Sequence, residues 1–180
     1  MRLPALLLAA LALAGCGGSE EADQGTAPDT GTGIRVESPA FRDGGTIPGR
    51  LTCDGRGRSP ALRWSGVPRG TAELLLLMED PDAPGATFVH WLVAHLPASA
   101  GGIPAGRVPA AATELEQSFG RRSYVGPCPP EDDPPHQYVF TLYALDRKLR
   151  LGSGATPEEV RSKVERAATA RGTLRASYGR

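Results

Sequence analysis

Three short apolar runs, each bounded by turn-forming residues, constrain most strongly what this chain can fold into. Glu73-Leu74-Leu75-Leu76-Leu77-Met78-Glu79 is the first, Phe88 to His95 the second, and Tyr138 to Leu145 the third, rich in aromatic and branched residues. Their length and continuity predict strands buried on both faces, at the centre of a sheet. Weaker strand candidates are Ile34 to Glu37 and Ala61 to Trp64, each flanked by Gly, Pro or Ser. The 23 glycines and 17 prolines fall between the apolar runs, as in a chain of many short strands joined by specific turns. The predicted fold is all-β and its architecture a sandwich.

One helix is signalled. Thr156-Pro157-Glu158-Glu159 supplies a cap, a proline at the first helical position and a glutamate three residues after the cap. Val160, Val164, Ala167 and Ala168 then share a face, and Gly172 is placed to end the helix.

The N-terminus directs the chain out of the cytoplasm. Arg2 precedes an apolar segment, Leu3 to Leu13, too short for a permanent span of about 20 residues. Leu13-Ala14-Gly15-Cys16 resembles the lipobox at which bacterial lipoprotein signals are cut and the cysteine is acylated, with palmitate among the chains carried. The thiol suits that role as a strong nucleophile. An ordinary secretory signal with an incidental cysteine is the rival reading, and it gives the same export. Residues 17–33, built from Gly, Ser, Thr, Pro, Asp and Glu, offer almost nothing to bury and are expected to form a flexible acidic tether. The expected organisation is a signal peptide over 1–15, a lipidated Cys16 with tether to residue 33, and one domain over 34–180, held at an envelope membrane and facing the periplasm or the cell exterior.

With Cys16 spent on the anchor, Cys53 and Cys128 are the remaining pair in a compartment where disulfides persist, and they are expected to be bonded to each other. Such a bond would stabilise by about 4 kcal/mol on the chain-entropy model. Two buried free thiols and two metal ligands are the competing readings, although neither cysteine sits in a C-x-x-C pair. The formal net charge is zero, and Arg56-Gly57-Arg58 and Arg121-Arg122 lack interleaved aromatics, so a nucleic-acid partner is not expected.

The residues that could carry chemistry lie at the ends of the strong runs. In Asp80-Pro81-Asp82-Ala83-Pro84 two prolines fix the backbone so that both carboxylates project from a rigid turn, although alone such a turn is usually punctuation. His90 sits inside an apolar strand, where an imidazole needs hydrogen-bond partners. His136 lies two residues before Tyr138, on the same strand face if the strand begins by then. Gly126-Pro127-Cys128-Pro129-Pro130 would make a stiff wall. Two acids, two histidines, a phenol and proline-rich backbone together describe a pocket.

These segments, with Cys53-Asp54-Gly55, Ser59 to Trp64, His90-Trp91 and His136-Gln137-Tyr138 running into Tyr143-Ala144-Leu145-Asp146, resemble the phosphatidylethanolamine-binding proteins in their bacterial Raf-kinase-inhibitor-like branch. The resemblance covers most of the chain after the tether. It implies a β-sandwich of two antiparallel sheets with Greek-key connections and a few peripheral helices, a small anion-binding pocket, and a homodimer. It carries the ligand-binding role onto Asp80, Asp82, Pro84, His90, Gly126, Pro127, His136 and Tyr138. The family usually has a basic residue where Gln137 stands, and the loop here adds Glu131-Asp132-Asp133, whose charge would repel a phosphate.

Histidines and a tyrosine hydroxyl can donate to a phosphate or carboxylate group, while ionised aspartates orient the imidazoles, raise their pKa and meet the amine of a zwitterionic head group such as phosphoethanolamine. The expected function is recognition of a small anionic ligand or phospholipid head group, with no enzymatic role and no cofactor. The rival is a hydrolase, metal-assisted or using acid and base, but neither H-E-x-x-H nor G-x-S-x-G occurs, and nothing marks Ser118, Ser123 or Tyr124 as a nucleophile. A third reading, permitted by the resemblance, is a protein-binding module that inhibits a kinase or protease.

Overall fold

In the computed structural model, residues 33–152 and 154–180 are described. The signal peptide, the lipidation of Cys16 and the tether up to its last residue lie outside the described residues. The strands are β1 (Arg35–Glu37), β2 (Gly45–Thr46), β3 (Leu62–Ser65), β4 (Glu73–Asp80), β5 (Phe88–Leu96), β6 (Gly102–Ile103), β7 (Thr113–Glu114), β8 (His136–Leu145) and β9 (Ala168–Tyr178), with one α-helix, α1 (Pro157–Glu165). A six-stranded sheet runs in the order β2-β9-β8-β4-β5-β7, and a three-stranded sheet in the order β1-β3-β6. Every pairing is antiparallel except the short parallel edge β2–β9.

The leucine run explains itself once both faces of the large sheet are seen to be covered. Leu74, Leu76 and Met78 enter a core shared with Val36, Leu62 and Trp64 of the small sheet. Leu75 and Leu77 enter a second core with Val160 and Val164 of α1 and with Leu149 from the loop after β8. Sheet, sheet and helix thus make three layers, and strands in the middle layer can be apolar at every position.

Three sequence expectations change. α1 ends at Glu165 instead of reaching Gly172, and Ala168 and Gly172 belong to β9. The N-terminal cap is as expected, with Thr156 Oγ1 accepting from Glu159 N at 3.3 Å. Gly172 does not stop a helix: a Cβ there would stand 1.9 Å from the Ile34 carbonyl oxygen, so the residue is glycine because β9 passes against the chain entering β1. β9 escaped sequence reading because its inward residues, Gly172, Leu174 and Ala176, are mostly small and leave a faint period-two signal.

Cys53 and Cys128 are bonded to each other, closing a loop of 75 residues. The bond ties the segment after a 3-10 turn at Gly49–Leu51 to the proline-rich wall, where Cys53 N also donates to Pro127 O at 3.1 Å.

Candidate functional site

β4 and β8 run antiparallel in register, Met78 opposite Phe140 and Glu79 opposite Val139, so the last residue of β4 meets the first residues of β8. Asp80, His136 and Tyr138 therefore meet at one end of the sheet. β8 begins at His136, two residues earlier than its apolar run, which puts His136 and Tyr138 on one face.

His90 arrives by a different device. Met78 pairs with Trp91 but Glu79 pairs with Val89, leaving His90 as an extra residue on β5. This bulge swings the imidazole towards Asp80, with His90 Nε2 3.9 Å from Asp80 Oδ2 and its ring edge-on to Tyr138 at 5.3 Å. His90 Nδ1 lies 2.9 Å from the Val125 carbonyl oxygen, so Nδ1 carries the proton and Nε2 faces the carboxylate.

Asp80 is the hub. It is 3% exposed; its Oδ1 accepts from Asp82 N at 2.9 Å, closing the Asp-Pro turn on itself, and its Oδ2 lies 2.8 Å from His136 Nδ1. The outer nitrogen of His136 stands 3.7 Å from Asp133 Oδ2. Burial alone disfavours the imidazolium of His136, but the hydrogen bond and charge of Asp80, with Asp82 and Asp133 behind it, outweigh burial and hold its pKa above the ordinary value. Burial dominates at His90 and pulls its pKa below the ordinary value despite the Val125 carbonyl and Asp80. Two imidazoles beside one carboxylate thus have their pKa values displaced in opposite directions.

Asp80, Pro84, His90, His136 and Tyr138 line a cavity of about 110 Å³ whose other walls are Ala83, Phe88, Phe119, Cys128, Pro129 and Pro130. The Tyr138 hydroxyl is buried and makes no well-formed hydrogen bond among the described residues, although the Asp80 carboxylate and the Cys128 backbone lie close to it. Burial, and then the nearby Asp80 charge, keep its proton bound well above the usual phenol range.

The remaining site residues frame this cavity without lining it. Asp82 Oδ2 accepts from Gln137 N at 2.8 Å and so locks the Asp-Pro turn to the start of β8. At Gly126 a Cβ would meet Leu51 O at 2.6 Å, so glycine here allows the wall to pack against the 3-10 turn, and the Pro127 carbonyl is taken by Cys53 N. Ser118 Oγ accepts from Val89 N at 2.9 Å, and Tyr124 donates to Leu51 O at 2.9 Å.

Sequence reasoning missed the aromatic rim. Phe88 and Phe119 meet at 4.5 Å, and Phe119 is 53% exposed at the mouth, held by a turn in which Gly120 N donates to Gln117 O. An aromatic in a polar loop next to glycine was the available signal.

A family model described as phosphatidylethanolamine-binding protein matches residues 37–179. The Mycobacterium tuberculosis protein named as the lipoprotein LppC is 36% identical over 178 residues, covering 91% of this chain and 88% of that protein. A UPF0098 protein of Methanothermobacter thermautotrophicus is 40% identical over 137 residues, covering 73% of this chain and 89% of that protein. Among solved structures, Escherichia coli YbcL, described as a member of the mammalian PEBP family, superposes with a TM-score of 0.78 at 29% identity, covering 82% of this chain and 98% of that one. A phosphatidylethanolamine-binding protein homologue from Chlamydia trachomatis superposes at 0.77 with 32% identity, covering 83% and 99%. With that span of matched residues and the Asp80 cavity inside it, the chain belongs to the phosphatidylethanolamine-binding protein family.

Proposed function

We propose that this chain is a lipid-anchored envelope protein whose Asp80 cavity recognises a small oxyanion, phosphate or carboxylate, carried on a larger molecule. The buried Tyr138 hydroxyl supports this most directly, because it makes no well-formed hydrogen bond among the described residues, with only the Asp80 carboxylate and the Cys128 backbone nearby, and an oxyanion beside it would give its proton a better acceptor. Protonated His136 adds a second donor: with Nδ1–H given to Asp80, its Nε2–H is offered outward. The apolar walls strengthen both bonds by excluding water.

The rim selects further. Glu131 and Asp132 are exposed and Asp133 faces His136, while Arg180, held by the Pro129 carbonyl oxygen, stands 3.8 Å from Glu131, so the rim carries both signs of charge. A ligand with a cation next to its oxyanion, such as phosphoethanolamine, places its amine against these carboxylates. Binding, not turnover, is the role we assign. The Cys128 thiol is consumed in the disulfide and the Ser118 hydroxyl is engaged by Val89 N, so neither is supported as a nucleophile. For the anchor, the resemblance of Leu13 to Cys16 to a lipobox agrees with the name of the mycobacterial relative.

A thermal-shift titration of the mature chain carrying Cys16→Ser, with phosphate, phosphoethanolamine and acetate, tests the pocket. Ligand at a hundred times its dissociation constant stabilises by about 2.7 kcal/mol. A saturable shift that Tyr138→Phe and Asp80→Asn weaken is the expected result; no shift with any anion rejects the pocket as an oxyanion site. Turnover of phosphoesters that His136→Ala abolishes would support the hydrolase instead.

A further inference from the structure

A second concave surface lies at the other end of the large sheet. It is a cavity of about 380 Å³ lined by Arg147, Lys148, Leu149, Arg150, Lys163 and Arg166, five cations with no acid among the lining residues, on a chain whose formal net charge is zero. The backbone that carries the cradle is fixed in place. Leu149 is buried, and its N–H donates at 2.7 Å to Glu73, itself 2% exposed. Arg147 Nη2 donates to Arg166 O at 2.6 Å and Lys163 Nζ to Arg150 O at 2.9 Å, which latches the loop to α1. Asp146 and Glu159 partly neutralise Arg147 and Lys163. The side chains of Lys148 and Arg150 make no ion pair or hydrogen bond among the described residues.

Its position relative to the rest of the chain gives the cradle meaning. β8 starts at His136 in the Asp80 cavity and ends at Leu145, immediately before the cradle, and ten residues of strand span about 30 Å. The described chain begins at Gly33, where a Cβ would lie 3.9 Å from Arg171 O, and Arg171 is paired with Tyr143 close to the Leu145 end of β8. The segment that leads from Cys16 therefore joins the domain at the cradle end and away from the cavity.

We propose that the cradle binds the phosphate groups of anionic phospholipids in the membrane that anchors the chain, docking the domain with the Asp80 cavity facing away from the bilayer. Several arginine and lysine donors converging on a concave surface suit phosphate oxygens, and such contacts weaken as salt rises. The docked orientation rests on the anchoring reading; lipid binding by the cradle does not. It also turns the cavity towards soluble or facing molecules instead of lipids of the same leaflet.

The test uses the mature chain with Cys16→Ser, so that no acyl group contributes, in co-sedimentation with vesicles of phosphatidylcholine alone or with 30% phosphatidylglycerol. Binding at least tenfold stronger to the anionic vesicles, lost at high salt and reduced at least tenfold by Lys148→Glu with Arg150→Glu, is expected. That variant should keep the thermal shift with phosphoethanolamine, which shows that it is folded and that the cavity is separate. Equal binding to both vesicle types, or undiminished binding by the charge-reversed variant, overturns the proposal. Displacement from vesicles by millimolar inorganic phosphate at constant ionic strength would make the cradle a free-phosphate site. Displacement by an acidic peptide at lower concentration would make it a protein-docking site; either result overturns the lipid assignment. A lost phosphoethanolamine response with intact vesicle binding would count against the cavity reading alone.

Discussion

Asp80 and His136 share a 2.8 Å contact between Oδ2 and Nδ1 that joins the last residue of β4 to the first of β8. Both side chains are almost wholly buried, so the pair acts in a medium where charge is felt strongly. Its protonation bears on both ligand binding and fold stability.

Ligand affinity should rise as the pH falls through the raised pKa of His136, because protonation turns its outer nitrogen from acceptor to donor. Calorimetric titration of phosphoethanolamine between pH 5.5 and 8.5 measures this. Asp80→Asn removes the charge that sustains the imidazolium, and should weaken binding at neutral pH by about 1–3 kcal/mol and move the transition to lower pH. A pH-independent affinity in the wild type would show that His136 is not a donor to the ligand.

Fold stability should pass through a maximum near the ordinary histidine pKa, about 6.5. His136 has a raised folded pKa, so its contribution is complete below about 6.5 and is lost as pH rises through the higher folded value. His90 has a lowered folded pKa, so its contribution is complete above about 6.5 and is lost as pH falls through the lower folded value. In urea titrations across this range, His136→Gln should flatten the alkaline limb and His90→Gln the acid limb.

Tyr138→Phe separates the ligand's demands from those of the fold. The hydroxyl makes no well-formed hydrogen bond among the described residues, so its removal should change stability by less than about 1 kcal/mol. Anion affinity should drop about tenfold, the worth of one hydrogen bond in a dry site. Loss of several kcal/mol of stability would mean that the hydroxyl is engaged in the unliganded protein.

The disulfide offers a test that links stability to the cavity wall. Closing a loop of 75 residues contributes about 4 kcal/mol on the chain-entropy model, so Cys53→Ser with Cys128→Ser should lower the unfolding free energy by that amount and the denaturant midpoint with it. Cys128 also lines the cavity, so the same variant should weaken phosphoethanolamine binding. Unchanged stability after reduction would place the loop's order in its packing alone.

The parts of the fold and site that were legible in the chain are those where local pattern and tertiary role agree. The leucine run of β4 is buried on both faces because two cores flank it, and Asp80-Pro81-Asp82 stays rigid because Asp80 caps its own turn. His136 and Tyr138 share a face by simple alternation. His90 breaks that alternation through a bulge, which depends on the register of β4 against β5 and leaves no mark in the sequence of β5 alone. Asp82 was legible as an acid of the turn, but its bond to Gln137 N was not, since a carboxylate projecting from a turn takes whichever donor the neighbouring strand presents. Phe119 came from a loop whose course is set by β5, where Ser118 N donates to Val89 O.

β9 is the largest element that sequence reading missed, and Gly172 gives it a direct test. Alanine raises helix propensity and lowers the entropy of the unfolded chain, so Gly172→Ala at a helix end would be neutral or stabilising. In the strand it should instead be severe. The new methyl would stand 1.9 Å from the Ile34 carbonyl oxygen, a backbone atom that can move only by separating β1 from β9. A cost of about 2–3 kcal/mol or more is expected. Gly152→Ala is the internal control, since a Cβ there meets nothing within 4 Å and should cost less than about 0.5 kcal/mol. Urea midpoints of the two variants decide the matter: equal, small effects would contradict the close packing of Gly172 against Ile34, while a large effect at Gly172 alone matches the strand.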